Sequence, residues 1–291
     1  MAQVRQIQLI NDVGERRNLL LRSNFFNDIS GLGFGQEQNY ISQGSSFYKL
    51  TRNETEQSVI EGALSFIDRK TAYSDYRDFN QWISHTDTLT MAYKPYGNEE
   101  YLKDVAVVSL SKGEMDIGGF LSCNITFRGL SAWYSTENLS FTFSSSALSN
   151  NEKRYSYRYS YRYGVSRVPG SVEFIIDGDY DGAIYMQIEA PASSPVLNLY
   201  QGSTRIGSLS FSGVSVTTGQ TLIYSTIPNN TGVWILENGE LTSILDSVQM
   251  LQGVPSFFKL PRNKSLRLSL VVQGGTIPNA SIQIHRYWRT V

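Results

Sequence analysis

The sequence predicts a mainly β protein of two domains, the first a sheet carrying one helix and the second an all-β sandwich. Three observations carry this. Short runs that alternate apolar and polar residues recur along the chain. One stretch, "AYSDYRDFNQWISH", instead repeats its apolar residues every three or four positions. The composition also turns markedly polar in "SSSALSNNE", which reads as a linker. With 291 residues, 41% of them hydrophobic and 12% aromatic, the chain has apolar mass enough for two cores.

In the first half, "QVRQIQLI", "EQSVIEGALSFI", "TLTMAY" and "KDVAVVSLSKGEMDIGGFLSCNITFRGL" read as strands, the last holding a hairpin near Gly113 to Gly119. Between them Tyr73, Tyr76, Phe79, Trp82 and Ile83 form the stripe of an amphipathic helix. Ser74 is its expected N-cap, without a full capping box because Arg77 stands where Glu or Gln would reach back. The domains are expected at 1–143 and 153–291, with the linker at 144–152. Beyond it, "SVEFII", "AIYMQIEA", "PVLNLYQG", "TRIGSLSFSGV", "QTLIYST", "GVWILEN", "SLRLSLVVQGG" and "ASIQIHRYW" are short strands separated by turn residues, the pattern of a sandwich.

Charge and composition exclude several function classes. Lys and Arg total 25 against 26 Asp and Glu, a net charge of -1, so no global basic balance draws the chain to nucleic acid or anionic lipid. No segment approaches the roughly 18 consecutive apolar residues of a membrane span, and "MAQVRQIQLINDVGERRNLL" has no secretory apolar core, so a soluble protein made in the cytosol is expected. The Asn-x-Ser/Thr triplets at Asn124 and Asn138 are then chance. The lone Cys123 forms no intrachain disulfide and is expected as a small buried residue.

Motifs for chemistry are weak. Asp177, Asp179 and Asp181 before Gly182 imitate the first half of a calcium loop, but the bidentate position falls at Ile188 and Glu189 misses it by one; a tight acidic hairpin turn is expected. "GLGFG" at Gly31 to Gly35 lacks the spacing of a dinucleotide fingerprint and reads as a loop. Asn263-Lys264-Ser265 has no phosphate-loop glycines, and no G-x-S-x-G elbow exists. His85 is expected to cap the last carbonyls of the helix, and His285 sits on an alternating strand. A carboxylate pair for glycoside hydrolysis stays open, since its separation is a property of the fold. The sequence therefore assigns no catalytic, cofactor-binding or metal-binding residue.

One segment stands out: "KRYSYRYSYRYG", Lys153 to Gly164. On a strand, Tyr155, Tyr157, Tyr159, Tyr161 and Tyr163 fall on one face and Arg154, Arg158 and Arg162 on the other. Rings and charges then cannot share one surface, which argues against a platform for single-stranded nucleic acid. A scaffold strand with its tyrosine face packed and a face that stacks on sugars both remain open.

The block from Tyr76 to Tyr134 resembles the N-terminal domain of distal tail proteins of long, non-contractile-tailed phages. The matching residues are Phe79, Trp82 and Ile83 on the helix, Tyr93 and Pro95 at the end of a strand, Val105, Val107, Leu110, Lys112 and Glu114 on the next, then Phe127, Trp133 and Tyr134. The tyrosine ladder resembles the strand that opens the second domain of the family, and "GQTLIYSTIPNN" and "FFKLPRNKSLRLSLVV" are similar to later strands.

The resemblance implies an N-terminal β-sandwich or split-barrel domain with one helix, followed by a galectin-like sandwich. It implies a virion structural protein, not an enzyme and without a cofactor: a homo-hexameric ring at the distal end of the tail, made in the host cytoplasm. Its implied partners are the major tail tube protein, the tail-associated hub or lysin protein and a receptor-binding or fibre protein, with no direct nucleic acid recognition and no membrane insertion. The loops after Pro95 and around "GLGFGQEQNYISQGSS" are the expected contacts with neighbouring rings, although no individual interface residue is assigned. The function class left beside this one is a carbohydrate-binding module contacting the host cell surface through aromatic faces of the second sandwich.

Overall fold

The computed structural model describes residues 5–21, 23–42, 45–86, 88–95, 99–143, 167–273 and 278–291. The tyrosine ladder Tyr155 to Tyr163 and the expected linker 144–152 lie outside the described residues. Two compact units are present, one of residues up to Ser135 together with Trp288–Val291, the other Thr136–Tyr287.

The first unit contains β1 (Gln6–Ile10), β2 (Arg16–Asn18), β3 (Leu20–Leu21), β4 (Asn24–Ser30), β5 (Gln36–Ser42), β6 (Tyr48–Thr55), β7 (Val59–Phe66), α1 (Ala72–Ser84), β8 (Leu89–Lys94), β9 (Tyr101–Met115), β10 (Leu121–Gly129) and the start of β11 (Trp133–Ser140). Its main sheet runs β2-β1-β8-β9-β10-β7-β4-β3, antiparallel throughout. Alternation explains its inner face: on β10, Leu121, Cys123, Ile125 and Phe127 are buried while Ser122 and Asn124 are exposed. Cys123 thus fills the core as a small apolar residue, and burial pushes its thiol pKa up, away from reactivity. The β9–β10 hairpin turns where expected, with Asp116 Oδ1 accepting from the Phe120 N–H at 2.8 Å and Gly119 taking a positive φ of 87°.

On α1 the buried residues are Ala72, Phe79 and Trp82, with Tyr76 edge-on to Phe66 at 5.9 Å. Tyr73 departs from the expected stripe. It is exposed, with Lys112 Nζ 4.8 Å from its ring. Ser74 is not the cap either: Thr71 occupies that position, and the Ser74 hydroxyl donates back to the Thr71 carbonyl at 2.7 Å inside the first turn. The helix starts earlier because the Asp68 carbonyl already accepts the Ala72 N–H at 2.7 Å. His85 does close the helix, its Nδ1 lying 2.7 Å from the Gln81 carbonyl.

The second unit holds the rest of β11, then β12 (Thr142–Phe143), β13 (Arg167–Ile175), β14 (Tyr180–Glu189), β15 (Ala192–Gln201), β16 (Thr204–Ser210), β17 (Ser215–Val216), β18 (Gln220–Ile227), β19 (Asn230–Glu237), β20 (Glu240–Ser243), β21 (Gln249–Met250), β22 (Ser265–Gln273) and β23 (Ala280–Trp288). Two antiparallel sheets face each other, β20-β19-β18-β14-β23 and β12-β13-β22-β15-β16-β21, with β17 on β15. Ile184, Met186, Tyr224 and Ile284 from the first meet Leu197, Leu199, Leu268 and Leu270 from the second. Each such side chain contributes about 1.5–3 kcal/mol by leaving water. This is a sandwich, and the mainly β class with one helix is the one the sequence predicts.

Two local expectations change. The units divide at Ser135/Thr136, earlier than the expected linker, because Phe141 packs into the second core and its N–H donates to the Ala280 carbonyl at 3.1 Å. The chain end returns to the first unit, where Trp288 meets Tyr101 edge-on at 6.1 Å and donates from its indole to Ser135 Oγ at 3.3 Å. The acidic segment Asp177 to Asp181 is not a hairpin turn. It carries the chain from β13 in one sheet to β14 in the other, so the two strands it joins do not pair.

Candidate functional site

The residues that chemistry drew attention to are spent on structure. Arg286 lies 3.0 Å from Asp177, the Arg262 N–H donates to Asp181 Oδ1 at 3.2 Å, and its guanidinium donates to the Asp179 carbonyl at 2.6 Å. Among the described residues no group of three or more His, Cys, Asp and Glu is placed to hold a metal ion. No helix among them is long and apolar enough to cross a membrane.

His285 is buried on β23, its Nε2 3.0 Å from Gln283 Oε1, and burial pushes its imidazole pKa from the ordinary 6.5 down to about 4. Below pH 6.5 the unfolded chain binds a proton that the folded chain refuses until about pH 4. The stability present above 6.5 is therefore lost on acidification across that window, by about 3 kcal/mol. Urea unfolding of the wild type and of His285→Gln, followed from pH 7 to pH 4.5, is expected to show a shallower acid loss in the variant; parallel curves would refute the assignment.

Lys103 is likewise buried, with its Nζ donating to the Ser131 carbonyl at 2.8 Å and lying 5.3 Å from the Trp133 ring centre; burial lowers its pKa to about 8. Its role is internal, a cation satisfied by one carbonyl and one aromatic face.

What the fold presents outward is an arm. β5 and β6 pair with each other in register from Gln36↔Thr55 to Ser42↔Tyr48, and form a two-stranded sheet separate from the main one. Every residue of β5 is exposed. Tyr40 and Leu50 are register partners, as are Ser42 and Tyr48, so Tyr40, Leu50 and Tyr48 share one face, with Phe47 beside them. Phe47 is 74% and Tyr48 69% exposed, unusual for aromatic residues that have no binding role. A register shift between Asn39 and Tyr40 bulges the arm at Thr51, whose hydroxyl donates to the Asn39 carbonyl at 2.9 Å.

The base of the arm is fixed. Gly31 has φ 83°, and a Cβ there would lie 1.8 Å from the Val59 carbonyl oxygen, so only glycine lets this leg run so close to β7. Trp133 donates from Nε1 to the Leu32 carbonyl at 3.2 Å, and the Glu56 N–H donates to the Gly35 carbonyl at 2.9 Å, joining the two legs. The sequence marks this region as a loop. Its strand "QEQNYIS" escapes notice because neither face is buried, which leaves no apolar alternation to read.

Residues 6–130 match the family model described as distal tail protein, N-terminal domain. The fold resembles a chain of the phage P2 baseplate in its activated conformation with Ca, at a TM-score of 0.67 and 16% identity over 99% of this chain and 100% of that one. The same baseplate with Sr gives the same values. The fold also resembles the SPP1 Dit (gp 19.1) protein, described as a paradigm of hub adsorption apparatus in Gram-positive infecting phages, at a TM-score of 0.59 and 12% identity over 96% and 98% of the two chains. No curated protein matches the chain. Residues 6–130 thus carry the N-terminal domain of distal tail proteins, and the chain as a whole shares the fold of these phage baseplate and Dit proteins.

Proposed function

We propose that this protein forms a hexameric ring at the distal end of a phage tail, where it joins the tail tube to the baseplate and holds receptor-binding or fibre proteins. Its role is architectural and not catalytic; it is made in the host cytoplasm and resides in the virion. The observation that carries this reading is the arm, an exposed hairpin with Tyr40, Tyr48 and Leu50 on one face and Phe47 beside them, rooted at a rigid base. An exposed apolar face of this kind marks an interaction site, and a neighbouring copy offers the cover. A contact between an arm and a different surface of the next copy is heterologous, so it closes a ring when the rotation per subunit allows. A net charge of -1 adds little repulsion between copies.

Light scattering and negative-stain microscopy of the purified protein test it. The expected result is a ring with six times the 32.7 kDa mass of one chain, or stacks of such rings. A strict monomer at high concentration would overturn the reading.

A further inference from the structure

In the second unit, the sheet β12-β13-β22-β15-β16-β21 turns one face to the core and the other to a trough of about 430 Å³. That volume lies within the roughly 300–1,000 Å³ of small-ligand sites. Leu197, Leu199 and Leu209 point into the core, so the pleat sends Val196, Asn198, Ser208 and Ser210 the other way. By register, Ser171, Ser269, Asn198 and Ser208 form a row across four strands, and Val271, Val196, Ser210 and Gln249 form the next. Short side chains in these rows leave the hollow.

Two of the lining groups are incompletely partnered. Asn198 is only 8% exposed, yet its amide makes a single hydrogen bond among the described residues, with the Ser208 hydroxyl at 2.9 Å. Whichever way the amide is turned, one end of it is unspent, and it lines the trough. That end is open to the trough, where a ligand or water completes it. Arg205 also lines the trough and forms no ion pair among the described residues. Its register partner Tyr200 is already covered by Arg267, at 4.8 Å. No Asp or Glu is among the described lining residues, while Val196, Val271 and Met250 supply apolar wall.

We propose that this trough binds an acidic saccharide, a hydroxyl-rich ring bearing a carboxylate or a phosphate. Asn198 and the serines read hydroxyls, because amides and hydroxyls both donate and accept as vicinal hydroxyls do. Val196, Val271 and Met250 pack on the C–H face of the ring, and Arg205 holds the anion through its planar fork. An extended peptide would need an open sheet edge for main-chain pairing, and within the face the backbone groups of β22, β15 and β16 are spent in their ladders. A nucleic acid strand would need free aromatic faces beside more than one cation. The site lies outside the arm and does not depend on the ring.

Titration calorimetry of the full-length protein tests this with three probes: a glucuronate-containing disaccharide, glucose 6-phosphate and neutral chitobiose. Saturable binding of at least one acidic probe is expected, weakened about tenfold by Arg205→Gln, which removes a charge-assisted hydrogen bond. The stronger of the two acidic probes tells carboxylate from phosphate. Chitobiose is expected to bind more weakly and to be indifferent to that change, and Asn198→Leu to remove binding of all three. Arg205 is exposed, so its variant reads recognition even where Asn198→Leu disturbs packing. Absence of binding to all three probes, or acidic binding indifferent to Arg205→Gln, overturns the proposal. So does displacement of the sugar by a Glu-rich peptide, which would make the face a protein-docking surface.

Discussion

Replacing residues 36–55 by a short Gly-Ser link is expected to convert the proposed ring to monomers while leaving the unfolding transitions of both units where they were. The two legs of the arm already meet, the Glu56 N–H donating to the Gly35 carbonyl at 2.9 Å, so a tight link closes the gap without pulling on β4 or β7. β5 and β6 pair with each other and not with the main sheet, and neither contributes a residue to the hydrophobic core of the unit. Little folding energy is therefore removed. The loss falls instead on association, where buried aromatic anchors are each worth about 2–4 kcal/mol. The paired change Phe47→Asp and Tyr48→Asp is expected to give the same monomer, since it keeps the arm and charges its most exposed apolar residues. Sedimentation velocity reads both. A ring that survives the deletion would show that the arm is not the contact between copies, whatever its exposure.

The part of the fold legible in the sequence is the part with one buried face. "LSCNITF" announces β10 because every second residue is in the core, and Phe79 with Trp82 announces α1 because both lie on its packed side. The arm had no such signature: with both faces in water, "QEQNYIS" carries no period. Asp-Gly chemistry at Asp177 to Asp181 signals a reversal but not whether the next strand pairs with the last or crosses to another sheet. The division between the units was hidden for a different reason. Trp288 belongs to the first unit through contacts with Tyr101 and Ser135, each more than 150 positions away. The trough was half legible: "PVLNLYQG" shows Leu197 and Leu199 facing one way and Asn198 the other. That the outward asparagine is nonetheless buried reflects its place between Ser208 of β16 and Ser269 of β22, a pairing no local pattern encodes.

Trp133→Ala joins the stability of the first unit to the placement of its arm, and it is expected to cost about 3–5 kcal/mol of unfolding free energy in that unit alone. The side chain is 0% exposed and among the largest fully buried ones, so its removal leaves a cavity that the strands on either side cannot fill by small shifts. Two polar contacts go with it: the indole N–H to the Leu32 carbonyl at 3.2 Å, and the ring face that Lys103 Nζ approaches to 5.3 Å. The second loss leaves a buried ammonium with the Ser131 carbonyl as its remaining neighbour of that pair, which adds to the cost. The first reaches further, because Leu32 lies in the leg that carries the chain from Gly31 into β5. Trp133→Phe separates the two effects: it keeps most of the ring volume and a face for Lys103 but donates nothing to Leu32. Its expected loss is smaller, on the order of 1–2 kcal/mol, with assembly weakened more than that loss alone would predict. Differential scanning calorimetry, beside sedimentation at matched temperature, resolves the cases. If Trp133→Ala unfolds within 1 kcal/mol of the wild type (about the net worth of a single hydrogen bond), the indole is not the keystone its burial implies. If Trp133→Phe assembles like the wild type, the hydrogen bond to Leu32 does not position the arm.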